Sequence, residues 1–114
     1  MVLIVGGAYQ GKGDFALELS GGKKENVILN IHERIEALLK EGYSREEIER
    51  VILEEAMGKK EMILTAEEIG CGIVPLDAEL RERREITGRI LCVVAKKAGE
   101  VYRMTAGIPV KIKG

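Results

Sequence analysis

Lys12 closes the stretch Gly6-Gly7-Ala8-Tyr9-Gln10-Gly11-Lys12 and is followed by Gly13. This is where the chain has most to offer a ligand. Gly6, Gly7 and Gly11 carry no Cβ, so backbone N–H groups can turn inward and approach an anion closely. The lysine adds a point charge that can reach outer phosphates. The spacing follows G-x-x-x-x-G-K as far as Lys12. It departs at the next position, where Gly13 stands in place of the hydroxyl residue that normally holds Mg²⁺. The predicted ligand is GTP or ATP with Mg²⁺, bound by Gly6, Gly7, Ala8, Tyr9, Gln10, Gly11, Lys12 and Gly13. The rival reading is a glycine-rich turn with a solvated lysine. A buried strand leading straight into the loop weighs against it.

His32 is the chain's one histidine. A neutral imidazole can attack an α-phosphorus when its other nitrogen is held by an acceptor. Histidine-mediated nucleotidyl transfer could therefore use only His32, and the plainer alternative is a capping or packing role at a helix start. Glu67 and Glu68 follow an apolar run, where an acid at a strand end can hold Mg²⁺ directly or through water; solvated loop charge is the alternative. Arg81, Arg84 and Arg89 could each grip phosphate in bidentate fashion. Arg89, beside Gly88, is the preferred one and joins Lys12 and His32 as a candidate catalytic residue. Cys71 has no histidine near it in sequence and reads as a small packing residue.

The elements that must position these groups are legible from punctuation and period. Val2-Leu3-Ile4-Val5 is a short buried strand, and a helix follows from Asp14. Ser20-Gly21-Gly22 closes that helix. Asn26-Val27-Ile28-Leu29-Asn30 is a second strand, which makes a right-handed βαβ unit. Ile31, Ile35, Leu38 and Leu39 recur at helical spacing up to Gly42. Ser44-Arg45-Glu46-Glu47 is a capping box opening another helix, with Ile48, Val51 and Ile52 as its buried stripe. Met62-Ile63-Leu64-Thr65-Ala66 is a third strand, running into an irregular loop through Gly70, Gly72 and Pro75. Asp77 caps a long helix. Val101-Tyr102-Arg103-Met104-Thr105 and Val110-Lys111-Ile112-Lys113 form an antiparallel edge hairpin turning at Gly107-Ile108-Pro109. The predicted class is α/β: a small, mostly parallel sheet with helices on both faces and a C-terminal antiparallel edge hairpin.

With 114 residues the chain is expected to be one domain. Its core must be aliphatic, because 46% of residues are hydrophobic and only 4% aromatic. Charge is balanced, 18 basic against 19 acidic residues, which argues against a general binder of nucleic acid or anionic membranes. No apolar run approaches the roughly 20 residues of a membrane span. The start lacks a signal-peptide pattern, and two cysteines are too few for a disulfide framework. A cytoplasmic protein with free thiols is expected.

The stretch Glu68-Ile69-Gly70-Cys71-Gly72-Ile73-Val74-Pro75 is similar to N-E-V-G-x-G-I-V-P, a segment of the adenosylcobinamide kinase / adenosylcobinamide-phosphate guanylyltransferase family of cobalamin biosynthesis. Ile86-Thr87-Gly88-Arg89 resembles that family's I-A-G-R, and Arg81 and Arg84 fall where it also carries arginine. The ending Gly107-Ile108-Pro109 with its lysines resembles the family's terminus, and the glycine loop resembles G-G-A-R-S-G-K. These matches fall in the family's order over about two-thirds of the chain. The resemblance implies a P-loop NTPase-like fold and a homo-oligomer, typically a trimer. It also implies phosphorylation of a hydroxyl on the aminopropanol arm of a corrinoid, followed by GMP transfer through a guanylylated histidine. The chain is shorter than a full-length member, and the loss lies in the middle. The family's two-histidine segment has no counterpart between Asn30 and Lys60, and its acidic metal-binding strand is also absent. The expected function is a nucleotide-dependent transferase of cobalamin biosynthesis. The alternative is a non-catalytic GTP- or ATP-binding or corrinoid-handling module.

Overall fold

Apolar runs too short to be helices become strands here, and the amphipathic stretches between them become helices covering both faces of the sheet. The computed structural model describes residues 1–68 and 77–114. The expected glycine loop through Gly70, Gly72 and Pro75, with Cys71, lies outside the described residues. In chain order the elements are β1 (Val2–Gly6), α1 (Lys12–Leu19), β2 (Val27–Ile28), α2 (Ile31–Lys40), α3 (Arg45–Ala56), β3 (Ile63–Glu67), α4 (Ala78–Lys97), β4 (Glu100–Thr105) and β5 (Ile108–Lys113). The strands form one sheet in the order β2-β3-β1-β4-β5. β1 to β4 run parallel, and β5 pairs antiparallel with β4.

β1 is central and in register with both neighbours, so that Gly6 lies beside Glu67 of β3 and Met104 of β4. One face of the sheet packs on α2, α3 and α4 through Leu3, Ile35, Ile48, Ile52, Leu64, Ile90 and Val94. The other face packs on α1 through Ile4, Ala16, Ile63 and Met104. Phe15 meets Tyr102 edge-on on that face, with ring centroids 5.1 Å apart. Side chains alternate along each strand, which is how one β3 serves both cores.

Two local expectations shift. β2 is only Val27–Ile28, not residues 26–30. Asn26 ends a 3-10 turn, and Asn30 takes a left-handed conformation (φ 55°) that starts α2, an arrangement asparagine tolerates better than most residues. The hairpin turn is Ala106-Gly107, with φ values of 50° and 77°. This is the paired positive φ of a two-residue turn whose twist suits a hairpin. Pro109 therefore lies inside β5, where an edge strand accepts it.

Asp77 caps α4 by accepting from the Glu79 and Leu80 N–H groups. The capping box of α3 is complete. Glu47 N–H donates to Ser44 Oγ at 3.2 Å, and Ser44 N–H donates to Glu47 Oε1 at 3.1 Å. The Ser44 N–H and then its hydroxyl hold the Glu47 carboxyl below its ordinary value. A depressed carboxyl stabilises the fold above its unfolded pKa and loses that contribution as pH falls through the folded value. Ser44→Ala is expected to lower the melting temperature at neutral pH. Melting curves across the acid range should show the gap to wild type narrowing as Glu47 protonates.

Candidate phosphate-binding site

Four parallel strands put their carboxyl ends on one edge, the side where open α/β sheets bind ligands. The loop between β1 and α1 rises from that edge. Tyr9 (φ 59°) and Gly11 (φ 81°) both adopt left-handed backbone, which turns the chain tightly enough to start α1 at Lys12. Gly11 is the N-cap and supplies no side-chain cap. Among the described residues, no N–H of residues 7–14 has a geometrically good partner within the protein, although the turn at Ala8-Tyr9 folds the Gln10 N–H back toward the Gly7 carbonyl. A run of such donors at a helix N-terminus is suited to an anion.

Lys12 is buried, and its Nζ donates to the Gly7 carbonyl at 2.6 Å. An ammonium has three hydrogens, so two remain for a ligand. Gln10 Oε1 accepts the Ala106 N–H, which ties the loop to the β4–β5 turn. An open cleft of about 260 Å³ lies between residues 9–14 on one side and Leu29, Asn30 and Thr65 on the other. Tyr9 is fully exposed at the loop's tip. A Cβ built on Gly13 would lie 3.7 Å from Leu29 Cδ2, an ordinary contact.

The two glutamates separate. β2 stops at Ile28, so beyond that point the N–H groups of β3 that face β2 have no ladder partner. Glu68 N–H points the other way, to the Gly6 carbonyl at 2.9 Å. Glu67 N–H therefore faces α2, where His32 Nδ1 accepts it at 2.9 Å. His32 is buried, and its Nε2 lies 3.4 Å from Glu67 Oε2. Because Nδ1 accepts, the ring hydrogen sits on Nε2, the nitrogen within ion-pair distance of the carboxylate. The Glu68 carboxylate instead meets Arg103 Nε at 3.0 Å.

Thr65 is the residue sequence reasoning missed. It is fully buried, lines the cleft, and its Oγ1 accepts the Asn30 N–H at 2.9 Å. Its position two residues before Glu67, on the same face of β3, is the signal that could have found it. The structure thus gathers the loop, Lys12, Gly13 and Thr65 around one cleft, with the Glu67–His32 pair at the adjoining end of β3 in register with Gly6. Arg89 is elsewhere: it is exposed in the second half of α4, with its guanidinium on Glu85 Oε1 at 2.6 Å. Arg81 and Arg84 lie in the first two turns of that helix.

Among the described residues, no group of three or more His, Cys, Asp or Glu could hold a metal ion. That excludes a protein-built cage there. Mg²⁺ needs no such cage, since it dehydrates reluctantly and is usually held by one or two carboxylates together with substrate phosphates and water. Glu67 and Thr65 share one face of β3 and would be the oxygen donors nearest the loop for such an ion. Among the described residues, no helix is long and apolar enough to cross a membrane.

Comparison with known proteins gives two findings. The family model described as cobinamide kinase / cobinamide phosphate guanyltransferase (CobU) matches residues 26–112. The chain is also similar to the bifunctional adenosylcobalamin biosynthesis protein CobU of Escherichia coli, 42% identical over 52 residues. The protein of the same name from Salmonella typhimurium matches at the same identity and length. In both cases the aligned stretch is 46% of this chain and 29% of the relative.

Proposed function

The chain belongs to the cobinamide kinase / cobinamide phosphate guanyltransferase family, and from that membership we propose that it is a nucleotide-dependent transferase acting on a corrinoid. Phosphoryl transfer is the half of the family's chemistry that the site geometry supports better. The observation that carries this reading is the row of N–H groups without a good partner among the described residues, beside the Lys12 ammonium, with the acid of β3 in register with Gly6. The loop amides and Lys12 hold the β- and γ-phosphates of GTP or ATP. Glu67, with Thr65, supports Mg²⁺, which supplies charge neutralisation on the phosphates. A corrinoid hydroxyl attacks the γ-phosphorus, the bond to the β–γ bridging oxygen breaks, and the hydroxyl proton is lost to solvent. Such chemistry rests on positioning and electrostatics, so a small scaffold can perform it. Arg89 enters this reading only if it leaves Glu85 to reach a bound ligand.

The homo-oligomer implied by family likeness, a trimer, is part of the proposal. Its support is β5, an edge strand exposed along its length with Ile108, Val110 and Ile112 all more than half exposed. A cytoplasmic location is proposed on the same footing, and the exposed, unpaired Cys92 agrees with a reducing compartment.

A second reading, a nucleotide- or corrinoid-binding module without turnover, is favoured by Gly13. Incubating the protein with adenosylcobinamide, GTP or ATP, and Mg²⁺ separates the two: phosphorylated corrinoid is expected, and binding without product would establish the module instead. Gly13→Ser restores the missing hydroxyl where the contact with Leu29 leaves room. It is expected to tighten nucleotide binding several-fold with Mg²⁺ present and to leave Mg²⁺-free binding unchanged. Calorimetric titration in the two buffers checks this.

A further inference from the structure

We propose that His32 is a positioning residue that aims the Glu67 carboxylate at the phosphate loop, and that it is not a nucleotide acceptor. The inference rests on the reading of Glu67 as the acid that supports nucleotide-borne Mg²⁺.

The β2–α2 junction grips the end of β3 at two points. Asn30 N–H donates to Thr65 Oγ1, and Glu67 N–H donates to His32 Nδ1. Each contact joins residues 35 apart in sequence, and together they replace the ladder that β2 abandons at Ile28. The second has a chemical consequence. With Nδ1 accepting a backbone hydrogen and Nε2 carrying its own, neither ring nitrogen offers a lone pair to phosphorus. Attack would require the imidazole to give up the Glu67 N–H, leaving a buried donor without its partner. Burial of the ring keeps this arrangement in place. What His32 does offer is its Nε2, 3.4 Å from one oxygen of a carboxylate that is otherwise about half exposed. A half-exposed glutamate samples several rotamers. A fixed ring nitrogen beside it narrows that choice, as groups behind metal-binding carboxylates commonly do.

Two variants of the full chain separate strand-end support from carboxylate aiming. His32→Ala removes both contacts. His32→Asn places Oδ1 where Nδ1 stood, so it can still accept the Glu67 N–H but cannot donate to the carboxylate. GTP, and separately ATP, is titrated by calorimetry with and without Mg²⁺, and the wild-type ring is examined by long-range ¹H–¹⁵N NMR. The expected results are an unprotonated Nδ1 in wild type and a His32→Asn protein that melts close to wild type. In both variants the Mg²⁺-dependent gain in affinity should fall roughly ten- to a hundredfold, with Mg²⁺-free affinity unchanged. A His32→Asn protein that keeps the full Mg²⁺ gain, or a wild-type ring protonated at Nδ1, overturns the inference. So does wild-type affinity indifferent to Mg²⁺. Wild type that binds neither nucleotide in either buffer overturns the nucleotide reading first and this inference with it, an outcome legible before any variant is made.

Discussion

Lys12→Ala is expected to abolish nucleotide protection against thermal unfolding while leaving the ligand-free protein about as stable as wild type. The two halves have separate causes. In the absence of ligand the ammonium is buried and held by one carbonyl. Removing it relieves the cost of desolvating a charge and forfeits one charge-assisted hydrogen bond, so the terms oppose each other. With ligand, the same ammonium faces phosphate charge in a site of low dielectric, where nothing opposes it. A ligand at a hundred times its dissociation constant stabilises a protein by about 2.7 kcal/mol, which for a domain of this size is on the order of 10 °C in melting temperature. The wild-type shift should be of that order with GTP or ATP and should vanish in the variant. A variant that retains the shift would mean that nucleotide binds somewhere other than this loop.

Much of the scaffold is legible in the sequence, because it is written in local signals. The box at Ser44 and Glu47, the cap at Asp77 and the short aliphatic run before the glycine loop each depend on residues within a turn or two. Ala106-Gly107 shows where local reading loses precision. Gly107-Ile108-Pro109 reads as the turn because proline usually interrupts strands, yet an edge position removes that objection. The site divides in the same way. The loop is contiguous and was legible from Gly6 to Lys12. The different surroundings of Glu67 and Glu68 are not, because they depend on which side of β3 each N–H faces and on where β2 stops. That His32 Nδ1 accepts the N–H of Glu67, 35 residues away, is likewise invisible in the sequence. Thr65 is hidden for a different reason: a threonine inside an apolar strand looks like β-propensity until Asn30 and the cleft are placed around it.

Gly6→Ala is the substitution expected to damage the fold most for the fewest atoms added. A Cβ at this position would stand 2.8 Å from the Met104 carbonyl oxygen and 3.2 Å from Met104 Cβ. The oxygen belongs to backbone in the sheet, so it cannot swing aside as a side-chain terminus would. Either β1 and β4 must part at the carboxyl edge, or the loop must leave its path. Overpacking of this kind costs about 3 kcal/mol, a fall in melting temperature on the order of 10 °C. Because Gly6 also hands its carbonyl to the Glu68 N–H, the same displacement would carry the acid of β3 away from the loop, and nucleotide binding should fail with it. Gly7→Ala is the control for stability, since a Cβ there meets only Gln10 Cγ at 3.9 Å. Denaturant unfolding of the two variants should show a large loss for the first and little for the second. Equal losses would mean that the loop needs glycine at both positions for backbone conformation, and that the close approach of β4 is not what selects Gly6.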